Sequence, residues 1–116
     1  MKHYSVLDVS PTTDEWIADY LPAAGRLVEK HGGKYMARTA SHQQLEGKGA
    51  EVGLRIILEW PSKEAALAFM SDPEYVPHLA ARTKGSVSNH YLIAGQDDLK
   101  HGKSKIDDHS ANFSEN

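Results

Sequence analysis

The stretch "EKHGGKYMAR", residues 29–38, holds the only adjacent glycine pair in the chain. Two glycines before an alternating run can cradle a phosphate, or they can end a helix and launch a strand. A phosphate loop needs its glycines after a strand, with a helix N-terminus aimed at the anion. Here the order is reversed. Upstream, Ile17, Tyr20, Leu21, Ala24, Leu27 and Val28 recur at helical spacing and form one apolar stripe. Lys30 and His31 fall in the last turn, where cations suit the helix dipole. Gly32 then stands where a left-handed residue ends a helix cheaply. The pair reads as a helix stop.

Working outward, "HYSVLDV" (residues 3–9) is a first strand that stops at "SPTT". Thr12 and Glu15 have capping-box spacing ahead of the helix, and Pro22 predicts a kink or restart inside it. "KYMARTA" (34–40) is a second strand, followed by the polar loop "SHQQLEGKGAEV". "GLRIILEW" (53–60) is the clearest strand, alternating Leu54, Ile56, Leu58 and Trp60 against Arg55, Ile57 and Glu59. Ser62 caps a second helix carrying Ala65, Ala66, Phe69 and Met70, which "SDPEYVP" breaks. A short helix, "HLAART", leads through Gly85 to the last strand, "SVSNHYLIA" (86–94).

The order is strand, helix, strand, strand, helix, strand. Two helical crossovers and one loop are solved most simply by an α+β fold: a four-stranded antiparallel sheet with its helices on one face, the ferredoxin-like βαββαβ arrangement. Matching apolar sets across the expected hairpin puts Tyr35, Ala37 and Thr39 with Leu54, Ile56, Leu58 and Trp60 beneath the helices. Lys34, Met36 and Arg38 then share the other face with Arg55, Ile57 and Glu59.

The totals bound the function classes. A chain of 116 residues carries one core, here expected over residues 1–95. Residues 96–116 are polar, with Leu99, Ile106 and Phe113 isolated, and read as a flexible tail. A formal charge of −3 gives no reason to expect nucleic acid or an anionic membrane as partner. The chain has no cysteine, which excludes disulfides, thiolate metal sites and cysteine nucleophiles. With no membrane span or signal peptide to read, a cytoplasmic location is expected.

Seven histidines invite a metal reading, but they show no short-spaced pair. Rossmann, P-loop, G-x-S-x-G and H-E-x-x-H patterns are missing too, so neither metal nor cofactor is expected. The candidate ligand-binding residues are Arg38, Tyr75, Arg82 and His90. A guanidinium beside a sheet can clamp a carboxylate, or pair with a neighbouring Glu. Tyr75 can offer its hydroxyl or simply pack the helix break, and His90 sits within the last strand, sharing a face with Ser88 and Leu92. Asp8 and Glu59 form a weaker candidate acid/base pair.

"HGGKYMAR", "LEG", "LEWPSKEAALAFMSDPEY" and "HLAAR" occur in one order, and that ordered set resembles the family catalogued as domain of unknown function 1330, in the dimeric α/β-barrel superfamily. The resemblance covers roughly residues 3–95. It implies a homodimer whose sheets meet through their helix-free faces, and small organic molecules held beside the sheet. Two readings stay open. In one, the protein binds, or transforms without a metal, a small acidic or aromatic metabolite. In the other, it is a non-catalytic dimeric interaction module.

Overall fold

The described residues form four strands and three helices in the order β1 (His3–Pro11), α1 (Ile17–Lys30), β2 (Lys34–Thr39), β3 (Leu54–Trp60), α2 (Lys63–Ser71), α3 (Val76–Lys84) and β4 (Ser86–Ala94). The computed structural model describes residues 1–49 and 51–100. The strands form one antiparallel sheet in the order β2-β3-β1-β4, so the two crossovers interleave and the chain has the expected ferredoxin-like topology. The flexible-tail expectation falls largely on residues 101–116, which lie outside the described residues.

The helix stop at the glycine pair has the full Schellman geometry. Gly33 N–H donates to the Val28 carbonyl at 2.8 Å, Gly32 N–H to Glu29 at 3.0 Å, and Gly32 has φ +76°. The second glycine is there for space. A Cβ on Gly33 would meet the Trp60 ring at 2.6 Å and the Val28 side chain at 2.8 Å. Trp60 is fully buried and anchors the core with Leu7, Leu27, Val28, Leu58, Phe69 and Tyr75. Burial of a tryptophan-sized side chain contributes about 4–6 kcal/mol at ~25 cal/mol/Å². Lys30 and His31 do more than face a dipole: both reach the Asp72 carboxylate, at 2.9 and 2.7 Å, and clamp the end of α1 to the turn between α2 and α3. These partners hold the Asp72 carboxyl well below the usual range, His31 first, then Lys30 and the backbone N–H of Glu74.

Three local expectations are corrected. The Thr12–Glu15 capping box does not form. β1 runs on to Pro11, the amides of Thr12 and Thr13 both donate to the Gly85 carbonyl, and α1 starts after Trp16. Of the kink or restart expected at Pro22, the restart does not occur: α1 runs through it as one helix. The carbonyl that Pro22 cannot serve belongs to Ala18, an exposed residue.

The third correction matters most for the site. The β2–β3 register slips between Tyr35 and Ala37, so Tyr35 pairs with Leu58 while Arg38, not Ala37, pairs with Ile56. The extra residue, Met36, is a bulge, and past it every side chain changes face. Arg38 therefore lies on the helix-covered side and Ala37 on the open side.

Candidate functional site

Between the sheet and the helices lies a cavity of about 180 Å³ with largely apolar walls. The sheet supplies Leu7, Val9, Leu54, Ile56 and Leu58, and the helices supply Ile17, Leu21, Val28 and Phe69. All four candidates, Arg38, Tyr75, Arg82 and His90, line this one space. Two further tyrosines join them, Tyr20 from α1 and Tyr35 from β2. Among the described residues, no acidic or amide side chain lines the cavity.

Arg82 sits near the end of α3 and is 4% exposed. Its Nη1 donates to the Tyr20 hydroxyl at 3.2 Å, and its guanidinium lies 5.7 Å from the Tyr20 ring centre. Its Nε is sealed off with no hydrogen-bond partner among the described residues. None of the ion pairs among those residues involves Arg82 or Arg38. Tyr20 and Tyr75 share a hydroxyl–hydroxyl bond of 2.6 Å. Burial, then the neighbouring Tyr20, pushes the Tyr75 phenol above the ordinary tyrosine range, so it stays protonated. Arg38 differs from Arg82: it is exposed at the rim and stacks over the Tyr35 ring at 4.1 Å. Burial also raises the Tyr35 phenol, and the Arg38 charge works against that rise.

His90 pairs with Leu7 across β1 and β4, which turns it toward the helices. Its Nε2 lies 2.7 Å from the Ser5 hydroxyl, which also accepts from Trp60 Nε1 at 2.8 Å. Ser5 is fully buried and needs an acceptor for its own hydrogen. Donation to His90 Nε2 satisfies it, and this assigns the imidazole proton to Nδ1. Burial, then the charge of Arg82, lowers the His90 pKa to about 4, so the ring is neutral at pH 7.

The other proposed groupings do not assemble. Glu59 pairs with Tyr4 and bonds Lys2 at 3.0 Å, whereas Asp8 pairs with Arg55 and bonds Asn89 at 2.9 Å. Four residues along one strand separate the two carboxylates by roughly 14 Å, too far to serve one substrate. Among the described residues, no three His, Cys, Asp or Glu side chains gather as a metal site. Sequence reasoning missed Tyr20, Tyr35 and Ser5. A tyrosine in an apolar stripe reads as core, and only the need of its hydroxyl for a partner hints otherwise.

The family model described as "Domain of unknown function (DUF1330)" matches residues 2–96. Among curated proteins, none matches the chain. A crystal structure of a protein of unknown function from Rhodopseudomonas palustris is similar, with TM-score 0.70, 21% identity and 83% of each chain covered. The cofactor-independent oxygenase SnoaB from Streptomyces nogalater is similar at TM-score 0.52 and 17% identity, over 86% of this chain and 96% of that one. The de novo designed protein Foldit4 is similar at TM-score 0.53 and 9% identity, over 83% of this chain and all of that one. At these identities the likeness concerns the fold alone.

Proposed function

The chain belongs to the DUF1330 family, whose name carries no activity, and we propose from its own cavity that it binds a small organic molecule with an apolar body about one ring in size. The observation that carries this reading is the cavity of about 180 Å³, apolar along its walls and polar at the Tyr20, Tyr75 and Arg82 cluster. An engineered apolar cavity of about 150 Å³ is known to hold benzene, which sets the scale. Fold analogy adds little. An oxygenase and a designed protein share the architecture, so the site and not the fold has to carry the function.

If the bound molecule is transformed, Arg82 supplies a fixed positive charge for a developing anion. Tyr75 keeps its proton, and His90, its pKa lowered to about 4, is a weak base at pH 7. The binding test is a thermal-shift screen of single-ring compounds against the full chain. A ligand of the folded state raises the midpoint as its concentration rises. A flat response across acidic, neutral and basic rings contradicts the reading.

A second copy of the chain is the proposed cover for the helix-free face. Val6, Ile57, Val87, Tyr91 and Ile93 stand exposed there, and Val6 pairs with Ile57 on one side and Tyr91 on the other. Such an apolar patch, reaching from β3 to the edge strand β4, can meet the same patch of a second copy, as an isologous interface requires. Light scattering at micromolar concentration checks it, with a monomer mass as the contrary result.

A further inference from the structure

We propose that the molecule bound in this cavity is a monocyclic carboxylate, its anionic head seated against Arg82 and the Tyr20–Tyr75 pair; this rests on the cavity reading above and names its ligand class. A count of donors and acceptors leads to it. Arg82 has five N–H hydrogens, and its one described bond is the donation to Tyr20. The Tyr20 and Tyr75 hydroxyls share a single hydrogen bond, so whichever donates, one O–H hydrogen is left without an acceptor among the described residues. His90, with Nε2 engaged by Ser5, carries its proton as a further donor on Nδ1. Arg38 adds a guanidinium at the rim. The guanidiniums and the tyrosine pair around the cavity therefore have hydrogens to give, and among the described residues no carboxylate or amide side chain lines it to receive one.

The charge count agrees. The whole chain is acidic, at −3, yet two guanidiniums border this one cavity with no ion-pair partner among the described residues. Arg38 is exposed and stays hydrated, but Arg82 is buried, and a buried charge is tolerated best beside its opposite. Its sealed Nε gains from a nearby anion through space, without direct contact. An alcohol or an amine brings its own donors to a wall of donors. An ionised carboxylate brings acceptors only, and guanidinium and phenol both match it. The cavity volume limits the body behind that head to about one ring.

The test titrates the full chain at pH 7 with benzoate and with its neutral isostere benzamide, followed by NMR. Benzoate is expected to bind at least about 10-fold more tightly than benzamide. Arg82→Gln is expected to weaken benzoate by about 10- to 100-fold while leaving benzamide within about 3-fold. Because loss of a buried arginine can impair folding, Tyr20→Phe provides a second reading, with about 10-fold weaker benzoate and a cooperative melt retained. Equal binding of the two compounds to the wild type, or an undiminished preference in the folded variants, overturns the carboxylate assignment and leaves the cavity reading in place. Failure of both compounds and of every other single-ring probe overturns the cavity reading itself.

Discussion

His90 stays uncharged through the range where a free histidine takes up its proton, and this has a thermodynamic cost in acid. Its pKa falls from the ordinary 6.5 to about 4 in the folded chain. Between those values the unfolded chain binds the proton and the folded chain does not. Stability therefore declines as pH drops through this window, by up to about 1.4 kcal/mol per pH unit. Asp72 acts elsewhere: its lowered pKa gives stability that is present above the ordinary 3.8 and lost below it. Replacement His90→Gln keeps an acceptor for Ser5 and removes the titration. Urea midpoints measured from pH 7 to 4 are expected to fall less steeply in the variant, and parallel slopes would contradict the burial assigned to the ring. At this scale the sequence offered Arg38, Tyr75, Arg82 and His90 as polar residues on structural elements, and the fold gathers all four around one cavity. Tyr20 and Tyr75 meet across 55 positions of chain, a pairing that periodicity has no means of revealing.

At the scale of elements, the two glycines after α1 do separate jobs. Gly32 supplies the left-handed turn, and Gly33 lets the Trp60 ring pack against the backbone. Gly33→Ala is expected to cost about 1–3 kcal/mol through overpacking, read from a denaturation curve. An unchanged midpoint would mean the helix end can retreat from Trp60. The helix stop was legible because a positive φ restricts residue choice so strongly. The bulge at Met36 was not. Alternation in "KYMART" fixes a period of two, but an inserted residue preserves the alternation on either side and shifts only its phase. Arg38 consequently reads as an open-face residue from the sequence and lies beside the cavity in the fold. The capping-box spacing misled for a related reason: a local motif competes with long-range bonds, and the Gly85 carbonyl takes the amides of Thr12 and Thr13.

Over the whole molecule, strand order and layering were readable because four alternating runs and their crossovers leave few untangled solutions. On the proposed reading, the helix-covered face of the sheet serves a ligand and the open face a second copy. Ile57 lies 41% exposed in the middle of the open face, opposite Val6. Ile57→Lys is expected to halve the solution mass of a dimer while the cavity keeps its ligand, since the side chain points away from the helices. A variant that loses the ligand together with the dimer would show that the second copy helps shape the site.

If the cavity under the helices holds a ligand, as proposed, an NMR map of the full chain with benzoate added reveals it. Shifts confined to Tyr20, Tyr35, Tyr75, Arg82, His90 and the apolar walls around them are the predicted result. Shifts on the open face around Tyr91 and Ile93 instead would contradict it.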